Sequence, residues 1–206
     1  MGEVSSLNNI PVNSVVLKTM LSHLKYPKNK ISNLEKNGTL VRLKKDLYVN
    51  KNADISKELI ANHLYGISYI SLESALAYYG MIPERVYTVR SMTTKRAKIF
   101  STPLGYFEYK TVSADYFNIG LRQEIIEGKY AFLIATPTKA LCDIIVATPN
   151  LRLQSVKAMR IYLEDELRID FDEAKVLDIS IVSQCFEIGK KKTELKCLLK
   201  LIDNYG

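Results

Sequence analysis

Catalysis needs nucleophiles, proton carriers or metal ligands at workable spacing, and this 206-residue chain holds few of them. Its two histidines are His23, at the end of an expected helix, and His63, on a helix among apolar residues. Neither belongs to a His-based metal site or a Ser-His-Asp triad. The three cysteines, Cys142, Cys185 and Cys197, form no C-x-x-C and sit among apolar neighbours. The expectation is buried free thiols in a reducing cytoplasm. No G-x-G-x-x-G or G-x-x-x-x-G-K-[ST] occurs, so no phosphate-cradling loop is expected. Glu108-Tyr109-Lys110 is the E-x-K pattern of metal-dependent nucleases, on an expected strand. Such a site also needs an upstream acid to help hold the metal. No Asp or Glu lies between Glu84 and Glu108. Alternation puts Glu108 and Lys110 on the face of Tyr106, which suits an exposed face. The reading is therefore of no enzyme, no cofactor and no metal.

Recognition chemistry is better represented. Lys28, Asn29, Lys30, Ser32, Asn33 and Lys36 share the outward face of a helix expected from about Lys28 to Asn37. Lysines neutralise phosphates, and asparagine can both donate to and accept from an adenine edge. Arg42, Lys44 and Lys45 follow on a basic hairpin. The elements that must position these groups are legible nearby. Asn13 or Ser14 can cap a first helix. Val16, Met20 and Leu24 recur at a spacing of four, with Leu17 and Leu21 beside them. Tyr26-Pro27 breaks that helix and starts the next, since proline disfavours helix in the residue before it but suits a first turn. Ile31 and Leu34 face inward, and Gly38 ends the second helix. Thr39–Leu43 and Leu47–Val49 read as strands around a Lys44-Lys45-Asp46 turn. Helix, turn, helix and basic hairpin together describe a winged helix-turn-helix over residues 1–52. Its second helix would enter the major groove of duplex DNA, and Lys44 and Lys45 would reach backbone phosphates.

The charge distribution agrees. The net charge is +7, and residues 1–52 hold nine Lys and Arg against three acids, or +6. The remainder holds 20 bases and 19 acids, or +1. A basic module beside a nearly neutral body is the footprint of a polyanion binder with a second task elsewhere. Composition is that of an ordinary globular protein, with 47% hydrophobic and 25% charged residues, enough for a packed core. No apolar run reaches the roughly 18 residues that would span a bilayer. No basic-then-apolar leader precedes Pro11. The expected location is cytoplasmic, away from the membrane.

Residues 53–206 read as a second, α+β domain. Helices are expected to about Tyr65 and from Ser71 as cap to Gly80, with a short strand, Ile67–Ile70, between them. Strands are expected over Val86–Met92, Ala97–Ser101, Gly105–Ser113 and Tyr130–Ala135. Thr136-Pro137 opens a helix to about residue 148. From Gln154 the chain reads as helical, with Val156, Met159, Leu163 and Leu167 on one helix and Leu195, Leu198, Leu199 and Ile202 on the last. Lys190-Lys191-Lys192 is read as a solvated cluster. The fold class is thus α+β: a winged helix-turn-helix, then a mixed α/β domain with a helical C-terminal end.

Several segments, in order, resemble the AbiEi-type antitoxins. They are Ile31–Gly38 (ISNLEKNG), Leu40–Val49 (LVRLKKDLYV), Ser68–Leu76 (SYISLESAL) with Gly80, Ile82 and Pro83, Ala135–Asp143 (ATPTKALCD) and Glu164–Asp170 (EDELRID). Two departures stand out. Asp46 takes a place where such proteins commonly have glycine, and Thr138 one where an acid is common. The resemblance implies an abortive-infection antitoxin for phage defence. It would repress its own operon by binding inverted repeats in promoter DNA, and neutralise a nucleotidyltransferase-like toxin, directly or indirectly. No toxin-contact residue is assigned. Leu72, Leu76, Ala140 and Leu141 are expected in the core, and Asp143 on a helix surface. An ordinary winged-helix regulator with a ligand- or protein-sensing second domain is the alternative reading.

Overall fold

Asn13 ends one element and begins the next. It closes a two-residue strand, β1 (Val12–Asn13), and its side chain accepts from Val16 N at 2.9 Å to cap helix α1 (Ser14–Met20). In this computed structural model the described residues are 10–169 and 177–203. The first nine residues of the expected 1–52 unit, and Asp170 of the Glu164–Asp170 segment, lie outside them. Pro27 stands in the first turn of α2 (Pro27–Lys36), and Gly38 follows at φ +74°. The hairpin is β2 (Leu40–Lys44) and β3 (Leu47–Asn50), and β3 lies between β1 and β2 in a three-stranded antiparallel sheet. The inner face of α1 carries Leu17, and Leu21, at the cap just beyond its end, is buried with it. Val16 and Met20, expected on that stripe, are 43% and 36% exposed. Leu17 and Leu21, four residues apart, pack with Ile31, Leu34, Leu40 and Tyr48, and of the expected Val16, Met20 and Leu24 row only Leu24 packs against that cluster.

Two hydrophobic clusters divide the hairpin. Leu40 and Tyr48 join Leu17, Leu21, Ile31 and Leu34 in a small cluster. Leu43, Leu47 and Val49 join the large core of the rest of the chain. Alternation along the strands sends Leu40 and Tyr48 to one face and Val41, Leu47 and Val49 to the other.

The remainder is a mixed α+β arrangement. Helix α3 (Lys57–Tyr65) is capped by Ser56, which accepts from Leu59 N. A six-stranded sheet follows, built from β4 (Ser68–Ile70), β5 (Thr88–Thr93), β6 (Lys98–Thr102), β7 (Gly105–Thr111), β8 (Leu121–Ile126) and β9 (Tyr130–Ala135). Its order is β6-β7-β5-β4-β9-β8, with β5–β7 and β4–β9 parallel and the other neighbours antiparallel. Helices α4 (Leu72–Tyr78), α5 (Ala114–Phe117), α6 (Pro137–Ala147), α7 (Val156–Ile161), α8 (Ile179–Ile188) and α9 (Lys192–Asp203) complete the described elements.

The sequence reading assigns no strand to β8, a half-exposed edge strand with no buried residue and no apolar run. The helix expected through Leu167 instead loosens into a π-turn at Tyr162–Glu166, where Leu167 N donates to Tyr162 O at 3.0 Å. All three cysteines are buried and unpaired. Among the described residues, no helix is long and apolar enough to cross a membrane.

Candidate nucleic-acid interface

Ile31 and Leu34 bury one stripe of α2, and the rest of the helix faces outward. Lys28, Asn29, Lys30, Ser32, Asn33 and Lys36 are all exposed along it. The first turn of α2 holds no acid, and its Tyr26 cap makes no side-chain hydrogen bond. The positive end of the helix dipole is thus left to Lys28 and Lys30 without a local carboxylate. The one acid on α2, Glu35, is taken by Arg42 of β2 at 2.9 Å. Arg42 also lies over the Tyr48 ring, 5.4 Å from its centroid, which ties α2 to the hairpin.

The hairpin turn is built differently from an ordinary glycine turn. Asp46 takes φ +62°, a left-handed conformation that Asp tolerates better than most residues. Its carboxylate accepts from Ser14 Oγ at 2.9 Å and its carbonyl from Ser14 N at 3.2 Å. The turn is thereby fastened to the start of α1. Lys45 projects from it, exposed. Lys44 does not project: its ammonium donates to the carbonyl of Leu64, near the end of α3, at 2.5 Å. Partial burial, with the nearby charges of Lys95 and Lys98, holds its pKa below the ordinary value. The expected pair of phosphate-reaching wing lysines is thus one exposed lysine and one turned inward. Alternation could not foresee this, because the irregularity after Arg42 reorients Lys44.

The E-x-K pair sits elsewhere, on β7. Glu108 accepts from Arg90 Nε at 2.7 Å, and Arg90 Nη1 reaches Glu73 at 2.6 Å. Lys110 stands 3.8 Å from Glu108. Glu73, on α4, is an upstream acid close in space that linear spacing does not reveal. The Arg90 guanidinium fills the position between the two carboxylates where a shared cation would bind. Glu73, Arg90 and Glu108 line an open cleft of about 520 Å³ with Ile82, Glu84, Glu166 and Leu167. Among the described residues, no group of three or more His, Cys, Asp and Glu is placed to hold a metal ion. His63 is bonded to the Leu59 carbonyl of its own helix at 2.9 Å.

Two of the family-like segments meet inside the core. Lys139 and Asp143, one turn apart on α6, are both fully buried and 3.1 Å apart. Lys139 also donates to the Tyr116 carbonyl at 3.0 Å, and Asp143 accepts from Ser71 Oγ at 2.5 Å. Burial and the Asp143 charge drive the Tyr116 phenol well above its ordinary pKa. Gly120, at φ +58°, is required here, since a Cβ would lie 2.9 Å from that of Lys139. Asp143, expected on a helix surface, is therefore a core residue; Ser71 stands at the N-cap of α4 as expected, but its hydroxyl makes no capping bond and donates to Asp143. Burial opposes any direct contact between this group and a partner. Leu72, Leu76, Ala140 and Leu141 are buried as expected. In the Lys190–Lys192 cluster, Lys190 and Lys192 are exposed as expected, while Lys191 is half-buried and donates to the Thr148 carbonyl; Lys192 donates to that of Glu187.

No family model matches the chain, and no curated protein matches it.

Proposed function

We propose that the N-terminal unit, residues 1–52, is a winged helix-turn-helix that binds duplex DNA through α2 and the hairpin. One observation carries this reading. Lys28, Asn29, Lys30, Ser32, Asn33 and Lys36 are exposed together on a helix whose positive end has no acid, beside a hairpin presenting Arg42 and Lys45. Phosphate-neutralising and base-reading side chains on one helix are what major-groove docking uses. The net +6 of this unit supplies the long-range attraction. Fluorescence anisotropy with the promoter DNA upstream of the chain's own gene tests it. Tight binding that weakens steeply with salt is expected; no binding at low salt would overturn the reading.

In this proposal residues 53–206 act as the antitoxin half, neutralising a nucleotidyltransferase-like toxin in the cytoplasm. The support is the ordered resemblance of segments to the AbiEi-type antitoxins. Co-expression with a neighbouring nucleotidyltransferase-like protein tests this half. Failure to rescue growth would remove it and leave a DNA-binding regulator whose second domain senses a ligand or another protein.

A further inference from the structure

A second concentration of positive charge lies outside the N-terminal unit. The β5–β6 connection and the start of β6 read Thr94-Lys95-Arg96-Ala97-Lys98, all exposed. β2 of the hairpin packs beside β6, so this segment adjoins the basic unit. Lys95 donates to the Tyr65 carbonyl at 3.0 Å, one residue beyond the carbonyl that Lys44 uses. Lys95 and Lys98 both stand over the Tyr65 ring, at 5.3 and 5.6 Å, and Lys98 also over Phe100 at 4.7 Å. Gly66 makes room, since a Cβ there would lie 2.6 Å from Lys95 Nζ.

Helix capping alone does not account for this cluster. A helix C-terminus offers roughly half a negative charge. Two ammonium groups, Lys44 and Lys95, bond to carbonyls there, and Lys98 stands over the Tyr65 ring beside them, with Arg96 next to Lys95 in the chain. Among the described residues, none of Lys44, Lys95, Arg96 and Lys98 forms an ion pair with a carboxylate. Like charges held together without counter-charge favour an external anion. The two rings in the patch are half-buried beneath the lysines, which removes the open stacking platform that single strands use. A duplex offers instead a regular row of phosphates, one charge per about 1.7 Å of axis.

We infer that Lys95, Arg96 and Lys98, together with Lys45, form a second phosphate-contact surface. It engages the backbone of duplex DNA flanking the stretch met by α2. This rests on the DNA-binding reading above and adds the six-stranded sheet to the footprint. Lys44 joins the two parts by anchoring the hairpin to α3.

The test compares wild type with Arg96→Gln/Lys98→Gln, which leaves the Lys44 and Lys95 bonds to α3 in place. Binding is measured between about 50 and 200 mM salt. The duplexes are of about 12 and about 30 base pairs, roughly one and three helical turns. On the longer duplex the salt slope of the variant should fall by about 2, near 0.9 per lost phosphate contact. On the shorter one it should not change. Arg96→Lys/Lys98→Arg should restore the wild-type slope, which separates lost charge from a folding defect. Unchanged slopes on the long duplex, with wild type binding normally, would overturn the second surface and leave the α2 interface standing. A loss confined to single-stranded RNA or to a protein partner would also overturn it. Wild type binding neither duplex would instead overturn the DNA-binding reading itself.

Discussion

Lys44 and Leu64 join the basic hairpin to the body of the protein: the lysine ammonium donates to the leucine carbonyl at 2.5 Å. With Leu43, Leu47 and Val49 set in the large core, this bond seats the hairpin against α3. The bond has a pH signature. Folding holds the Lys44 pKa below the ordinary 10.5 through burial and the charges of Lys95 and Lys98. Between the folded and ordinary values the unfolded chain binds more protons, so stability from this group rises with pH. Relative to Lys44→Met, wild type should therefore gain stability as pH rises through the lowered folded value towards 10.5. Urea unfolding across that window measures it. The neutral amine still donates to Leu64, so the bond itself should survive.

Ser14 and Asp46 set the turn. Asp46→Ala places a less tolerant residue at φ +62° and removes the Ser14 bond, and should cost about 1–3 kcal/mol. Asp46→Gly relieves the backbone but loses the bond, so it should cost less. Asp46→Asn keeps both features and should be closest to wild type. Thermal melts of the three variants give the order; Ala milder than Asn would contradict it.

The Lys139–Asp143 pair should behave as a buried ion pair. Removing one partner leaves an uncompensated charge, and Lys139→Ala or Asp143→Ala should each cost about 3–5 kcal/mol in urea unfolding. The combined change Lys139→Met/Asp143→Leu removes both charges at similar volume and should cost clearly less than the two single changes added together.

On α2, phosphate and base contacts should separate in their effects. Lys28→Ala, Lys30→Ala and Lys36→Ala should each weaken binding to all duplexes and lower the salt slope by about 0.9. Asn29→Ala or Asn33→Ala should relax sequence preference, by roughly 1–3 kcal/mol for a bidentate base contact. Competition against unrelated duplexes distinguishes the two patterns.

What the amino-acid sequence determined by itself was local. The Asn13 cap, the Pro27 start of α2, the Ile31/Leu34 stripe and the Gly38 stop are effects of neighbouring residues, and all are present in the structure. The strong strands β5, β6, β7 and β9, and the Thr136–Pro137 start of α6, were equally legible. The exposed face of α2 followed from helical spacing alone. β8 did not, because a half-exposed edge strand needs no hydrophobic alternation.

The tertiary structure decided which long side chains are free. Lysine reaches far on a flexible stem, and its choice between solvent and a carbonyl depends on what folds within reach. Lys44 met the end of α3, Lys139 met Asp143 and Tyr116, and Arg90 met Glu73 and Glu108. Lys95, Arg96 and Lys98 gained a place beside the hairpin only because β6 became the edge next to β2. These pairings join residues distant in sequence or buried together by packing, and periodicity carries no information about them.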